Sequence, residues 1–402
     1  METKNVYYNS AGLYDFPDKF EKYKGREMPK MSDTNTLQPQ KHTPKVVSVF
    51  SGCGGLDLGF HQEGYETIWA NDFAEWACKS FEGYFGDVIR CKDITQIDPY
   101  TDESIPDCDI ILGGFPCQDF SIIWKQPGLN GTRGGLFRYF AEFVDAKKPK
   151  AFVAENVKGL LTANGGMAID TIVKDFETIA PGYVVKPHLY NFAEYGVPQF
   201  RERVLIVGIR IDTGFNFVHP KPTHGPNGDL PYVTAGEALE GAEKVPYNNE
   251  EIHIKEKTRK MLELIPEGGN YTDIPKDSPY YVKGMISHVY RRVKRDEPAK
   301  TIIAAGGGGT WGYHYPEPRA LTNRERARLQ SFPDDFKFEG NITEVRRQIG
   351  NAVPPVGVHA LARKLMPLFT GEYTPVDLKP EYEKMKQMTV KQRLTYVTEQ
   401  MN

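Results

Sequence analysis

The sequence predicts an α/β protein in which a mostly parallel sheet carries helices on both faces, with a smaller, irregular domain following it. Three observations predict this class. Short β-branched or apolar runs alternate with helix-like stretches between about residues 45 and 212. Each run closes in glycines or small polar residues, as a buried strand does where it feeds a turn. After about Arg210 the alternation stops, and residues 213–300 are rich in proline, glycine and charge.

The elements follow in order. Residues 1–44 are polar and carry Pro17, Pro29, Pro39 and Pro44, which suggests an extension of open role. Strands are expected at Val46–Phe50, Thr67–Ala70, Asp109–Leu112, Ala151–Ala154 and Val204–Val207. Helices are expected at Phe73–Gly83 and Ala168–Ile179. In such a sheet ligands sit at the carboxyl ends of the strands. An apolar helical pattern returns at Val356–Leu368 and is expected to pack back on the first unit. The predicted organisation is therefore 45–212 with 350–370 as one domain and 213–349 as the second. A charged, helical tail follows at 371–402.

With 402 residues, 40% hydrophobic and 26% charged, the chain has room for two ordinary globular domains. No run of 18 apolar residues occurs, so no membrane helix is expected, and the first residues lack the apolar core of a secretory signal. A cytoplasmic location is the expectation. The five cysteines are an odd number, widely spread and without a C-x-x-C pair, which argues against a disulfide framework or a metal site. A cysteine that matters should matter singly, as a nucleophile. The formal net charge of -3 gives no global reason to expect nucleic acid. Basic residues do cluster, at Lys283, Arg291, Arg292, Lys294, Arg295 and Lys300, then at Arg319, Arg324, Arg326 and Arg328. One such face could hold a polyanion; a set of solvated helix faces would look the same.

Phe50-Ser51-Gly52-Cys53-Gly54-Gly55-Leu56 stands at the first strand-to-helix turn, where glycines let the backbone come close to a ligand. The spacing is not G-x-G-x-x-G, and such a turn is equally at home as plain structure. Asp72, just past the second strand, could accept hydrogen bonds from two ribose hydroxyls. Asp93 with Ile94 suits an exocyclic amine and an adenine ring, although Asp93 alone reads equally as a helix cap. In this order the three read as a site for an adenosyl-type cofactor.

Gly113-Gly114-Phe115-Pro116-Cys117-Gln118 places a cysteine at the functional end of the third strand, behind a proline that sets the backbone. Glu155 in Ala154-Glu155-Asn156-Val157 closes the next strand and would lie beside Cys117 if the two strands are neighbours; a helix N-cap is the other reading. In Gln199-Phe200-Arg201-Glu202-Arg203 the two arginines alternate, so both can face one side.

The ordered set FSGCGG, ANDF, KDI, GFPCQ, ENV, QFRER and QIGNAVPP resembles the cytosine-C5 DNA methyltransferase family, above all its bacterial restriction–modification members, from about Val46 to Leu368. The resemblance implies a Rossmann-like fold, double-stranded DNA as substrate, and S-adenosylmethionine as donor with S-adenosylhomocysteine as product, without a metal. Carbon 5 of cytosine is a poor nucleophile, and thiolate addition at carbon 6 makes it electron-rich. By resemblance Cys117 is that thiolate, Glu155 protonates N3, Arg203 binds O2, and Arg201 supports DNA or the loop. The implied cofactor residues are Phe50, Gly52, Cys53, Gly54, Gly55, Leu56, Asp72, Phe73, Asp93, Ile94, Pro116, Leu136, Asn351 and Ala352. The target base must leave the stack, and the glycine-rich stretch Gln118–Gly135 is expected to close over it.

Implied DNA contacts are Gln118, Ser121, Thr301, Arg291 and Arg292, the last three in a target-recognition domain at 213–349. Arg324–Pro333 resembles a segment that organises that domain. Family habit adds a cognate restriction endonuclease; a monomer is the default expectation, since one domain pair can embrace a duplex alone, and association with the nucleoid would come through DNA. Rival readings are an RNA cytosine methyltransferase, disfavoured by the long recognition region, and a non-catalytic DNA-binding relative, disfavoured by retention of Cys117 and Glu155. A nicotinamide oxidoreductase explains neither GFPCQ nor ENV.

Overall fold

The computed structural model describes residues 42–116, 135–281, 283, 289–304, 308–310 and 312–401. Nine strands appear among them: β1 Lys45–Val49, β2 Glu66–Asp72, β3 Ile89–Cys91, β4 Ile110–Gly113, β5 Ala151–Val157, β6 Tyr183–Asn191, β7 Gln199–Phe200, β8 Glu202–Arg210 and β9 Ala299–Lys300. The first helices are α1 Gly55–Gln62, α2 Glu75–Phe85, α3 Phe137–Lys147 and α4 Met167–Thr178. They are followed by α5 Ala235–Leu239, α6 Glu256–Glu263, α7 Asn323–Leu329, α8 Ile342–Asn351, α9 His359–Thr370, α10 Lys379–Lys386 and α11 Val390–Met401.

Seven strands form one sheet in the order β3-β2-β1-β4-β5-β8-β6. All pairings are parallel except those of β8, which runs antiparallel to both β5 and β6. Strand alternation supplies both core layers. In β1, Val46 faces the cluster that holds Phe60, Leu361 and Leu365, whereas Val47 and Val49 face the cluster that holds Phe140, Ile172 and Phe176. With both faces covered, each central strand reads as a continuous apolar run. The strand order reverses between β1 and β4, which opens a crevice at their carboxyl ends.

The five expected strands are present, as are both expected helices, with bounds that differ by up to three residues. Two strands of the sheet, β3 and β6, go beyond the expectation.

The C-terminal segment does return to the sheet. Tyr65 Oη donates to Ala362 O at 2.9 Å, and α9 packs on α1. This needs small residues on α1: a Cβ at Gly55 would stand 2.3 Å from Val353 O, and one at Gly59 2.4 Å from Pro355 O. The tail also folds onto the sheet. In α11, Arg393 pairs with Glu177 at 2.5 Å, and in α10 Glu381 pairs with Lys186 of β6 at 2.9 Å. These helices are thus part of the large unit, and so are Phe215 and Phe217, just past the expected boundary. The second unit has a small core of its own around Met261, Leu262, Ile265 and Tyr313. A further cluster fastens Leu58 of α1 to Ala235, Ala327, Phe336 and Ile349.

Candidate active site

A cavity of about 690 Å³ lies at the carboxyl ends of β1, β2, β4 and β5. Its walls include every cofactor residue expected from the sequence except Gly54: Phe50, Gly52, Cys53, Gly55, Leu56, Asp72, Phe73, Asp93, Ile94, Pro116, Leu136, Asn351 and Ala352. Gly54 instead packs against the rings of Phe81 and Phe85.

The walls are held by short local bonds. Asp72 receives Gly52 N on one oxygen at 2.8 Å and Ala74 N on the other at 2.9 Å, so it ties the glycine loop to the end of β2. Burial pushes its carboxyl up despite these donors. Each oxygen keeps a lone pair for a further donor. Phe73, next along, is 75% exposed, an apolar ring placed on the cavity wall. Asp93 does cap a short turn, accepting Thr95 N at 2.9 Å, and still lines the cavity. The two readings of Asp93 are therefore compatible.

At the other end stands an acid–base pair. Glu155 of β5 is 9% exposed, and Arg203 of β8 reaches it with Nε 2.9 Å from Oε1. Burial pushes the Glu155 carboxyl up, while the guanidiniums of Arg203 and Arg201 pull it back. Gly114 leaves room for this carboxylate, since a Cβ there would lie 3.0 Å from Glu155 Oε2. Asn156 Nδ2 donates to Phe115 O at 2.8 Å and so fixes the backbone that leads through Pro116. Cys117 lies outside the described residues, as do Gln118, Ser121 and the Gly-rich stretch up to 134. Among the described cysteines, burial pushes the Cys53 and Cys108 thiols up to about 12, and the Cys78 thiol is raised as well.

Arg201 is buried and does not face outward. Its guanidinium donates to Ile302 O at 3.1 Å and Gly350 O at 2.8 Å, bracing the junction of both units. A guanidinium spent on these two carbonyls is turned away from DNA, one of the two roles expected for Arg201.

The basic cluster needs a correction. Arg292 is 8% exposed, and its guanidinium is spent on the carbonyls of Leu262, Ile265, His314 and Tyr315. A guanidinium so enclosed is a tether for the second unit and is not available to DNA. Arg324 and Arg328 are likewise buried against backbone carbonyls, which agrees with an organising role for Arg324–Pro333. Lys294 pairs with Glu297, Arg295 with Glu267, and Arg319 with Glu325. Arg291 and Thr301 line a second groove of about 630 Å³ beside β7 and β9. There Thr301 Oγ1 donates to Phe200 O at 2.7 Å, and Lys300 Nζ stands 4.9 Å from the Phe200 ring centroid.

Sequence reasoning missed several cavity residues. Asp57, Asn71, Glu344, Arg347 and Gln348 all line it. Asn71 Nδ2 donates to Arg90 O and Lys92 O, both at 2.8 Å, which clips β3 and the following turn to β2. Ser80 Oγ donates to Gln348 Oε1 at 2.6 Å and joins α2 to α8. A polar residue at the end of an apolar strand was the available signal for Asn71. Gln348 heads the segment already singled out.

Comparisons with known proteins agree with this picture. The family model described as C-5 cytosine-specific DNA methylase matches residues 44–366. The chain is 65% identical over 366 residues to type II methyltransferase M.NgoFVII of Neisseria gonorrhoeae, spanning 90% of this chain and 97% of that one. It is 41% identical over 356 residues to type II methyltransferase M.BbvI of Brevibacillus brevis, spanning 83% and 94%. Among solved structures, a prophage-encoded E. coli protein described as a DNA modification methyltransferase superposes with a TM-score of 0.62 at 20% identity. That match spans 81% of this chain and 99% of the other, and at such identity it speaks to the fold alone.

Proposed function

Because the chain belongs to the C-5 cytosine-specific DNA methylase family, we propose that its cavity holds S-adenosylmethionine at one end and a flipped cytosine at the other. The chain is a DNA (cytosine-5-)-methyltransferase of the type II restriction–modification kind. The observation that carries the site assignment is the continuity of the cavity. One space is shared by Asp72, Phe73 and Asp93, by Pro116 and by the Glu155–Arg203 pair.

In this reading Asp72 accepts from the ribose hydroxyls, Phe73 and Phe50 flank the adenine, and Asp93 accepts from its amine. The glycine loop, Asn351 and Ala352 enclose the remainder. When bound, the cofactor supplies a methyl group as an electrophile. Cys117, which follows Pro116 in the chain, adds its thiolate to carbon 6 of the cytosine. Glu155 delivers a proton at N3 as the ring takes up charge, a task that its burial favours. Arg203 holds O2 and keeps the carboxyl oriented. Residues after Phe217 and up to 349 form the recognition unit, with Thr301 and Arg291 toward DNA, and residues 350–401 complete the catalytic unit. The enzyme acts as a monomer in the cytoplasm, at the nucleoid, and protects sites shared with a cognate endonuclease.

Expression in a host free of cytosine methylation, followed by bisulfite sequencing of the host genome, tests the activity. Methylcytosine at one short recurring sequence is the expected result. Soluble protein that leaves the genome unmethylated overturns it, and methyl transfer to tRNA in place of duplex DNA would establish the RNA alternative.

A further inference from the structure

We infer that Cys78 and Cys91 form a redox-sensitive modification site: an oxidant of the peroxide class joins them in a disulfide, which weakens cofactor binding at the adenosine end of the cavity. The inference rests on the cofactor reading above and concerns two thiols that this reading leaves idle.

Cys78 stands in the first turn of α2, and Cys91 closes β3. Cys78 is buried and Cys91 is exposed, and both are free. The strand register sets Cys91 opposite Asp72. The two thiols therefore reach consecutive carbonyls of the cavity wall: Cys78 Sγ donates to Asp72 O at 3.4 Å, and Cys91 Sγ lies 3.9 Å from Phe73 O. They also hydrogen-bond each other, and burial holds the Cys78 thiol in its protonated form. Packing alone accounts for a buried cysteine at 78. It does not account for a second thiol brought to the same wall from the solvent side.

This wall carries the adenosine end of the cofactor reading. Asp72 and Phe73 line the cavity, as do Ala74 and Ala77 beside Cys78, and Asp93 two residues beyond Cys91. Asp72 O also accepts Lys92 N at 2.9 Å. The end of β2, the start of α2 and the turn after β3 thus share one anchor. A covalent S–S bond is far shorter than a thiol–thiol hydrogen bond. Closing it draws the first turn of α2 toward the end of β3, takes the Cys78 donor from Asp72 O, and shifts the wall on which Asp72 and Asp93 stand.

The exposed thiol meets an oxidant first. The Cys91 thiolate attacks one oxygen of hydrogen peroxide; an S–O bond forms, the O–O bond breaks and hydroxide leaves. The Cys78 sulfur then attacks the sulfur of the resulting sulfenic acid. The S–S bond forms, the S–O bond breaks, and the departing hydroxide takes up the Cys78 proton as water. In sum two thiols lose two electrons and two protons, and one peroxide becomes two waters. Exchange with an added dithiol reverses the bond.

Calorimetry on the full chain carrying Cys117→Ala tests this, so that oxidation of the proposed nucleophile does not enter. S-adenosylmethionine and S-adenosylhomocysteine are titrated into the reduced protein, after limited hydrogen peroxide, and after later dithiothreitol. Peptide mapping reads the Cys78–Cys91 bond, in this variant and in the wild-type chain, where no substitution has to be tolerated. Peroxide is expected to form the bond and weaken both ligands about tenfold, the scale of one lost hydrogen bond to a charged acceptor, with recovery on dithiothreitol. Cys91→Ser in the same background is expected to keep the affinity of the reduced protein throughout. A bond that forms without weakening binding by at least about twofold overturns the inference. So does peroxide treatment that leaves Cys78 and Cys91 unjoined, or an equal loss in Cys91→Ser. A reduced protein that binds neither ligand overturns the cofactor reading itself, and the inference with it.

Discussion

Glu155 and Arg203 meet across the antiparallel pair β5 and β8, where the register sets Val157 opposite Arg203 and Leu205 opposite Glu155. The two side chains are therefore diagonal neighbours, and Arg203 Nε closes the 2.9 Å gap to Glu155 Oε1. Glu155→Gln preserves the shape and removes the transferable proton. Its methylation rate should fall by about 10²–10⁴-fold with cofactor affinity unchanged, measured by single-turnover methyl transfer and calorimetry. A variant within a few fold of wild type would remove Glu155 from the chemistry.

Burial pushes the Glu155 carboxyl up, with the two guanidiniums opposing. The protonated form therefore persists above the ordinary carboxylate range and is lost as pH rises through the folded-state value. If that proton is used, kcat/KM carries a falling limb on the alkaline side governed by this group. Glu155→Gln, fixed in the neutral form, should lack the limb at its lower rate. A variant profile that keeps the limb would assign it elsewhere.

Cys117→Ala should abolish methylation and leave cofactor binding and the thermal unfolding curve intact. The check is tritium transfer to duplex DNA beside calorimetry. Detectable turnover would end the thiolate mechanism, since the thiols of Cys53 and Cys108 are pushed up to about 12 by burial and are poor substitutes.

Asp57 makes a separate, thermodynamic prediction. Burial pushes its carboxyl up to about 6, against about 3.9 in an unfolded chain. A carboxyl raised in the folded state binds its proton more tightly there, so its contribution to stability falls as pH rises from about 4 through 6, by up to about 3 kcal/mol. Asp57→Asn lacks this dependence. Equilibrium unfolding should show the variant gaining on wild type between pH 5 and pH 8; a constant difference would mean that Asp57 ionises as freely as in the unfolded chain.

Arg292→Ala should act on stability and not on DNA electrostatics. Removing a guanidinium that serves four carbonyls leaves buried acceptors unsatisfied, at a cost of about 3 kcal/mol or more. The slope of log Kd for duplex DNA against log salt should stay as in wild type. A slope shallower by about one unit would restore Arg292 as a phosphate contact.

Which features were legible in the chain depended on how local their causes are. Val46–Phe50 and Asp109–Leu112 announce themselves because a strand covered on both faces is simply an apolar run with a turn at its end. By contrast β6 holds Lys186, Pro187 and His188 in its middle, and Lys186 is tolerable because partners far along the chain reach it, Glu381 at 2.9 Å, Phe217 O at 2.6 Å and Gln400 Oε1 at 3.1 Å. No local window contains those partners. The same holds for the site. ANDF, ENV and QFRER are compact motifs, so Asp72, Glu155 and Arg203 could be named from them. Glu344 and Arg347 reach the cavity only through the docking of α8. The misplacement of Arg292 has the same root: spacing does not tell whether a guanidinium faces water or a ring of carbonyls.

The approach of Val353 and Pro355 to Gly55 and Gly59 has a consequence for the order of synthesis. The loop that opens the cavity is translated early, whereas the wall formed by Gln348, Asn351 and Val353 is translated late. A nascent chain can assemble its sheet long before it can enclose a ligand. A stop before this wall would leave the glycine loop facing half a cavity, so whatever fills the cavity can be enclosed only by a finished chain.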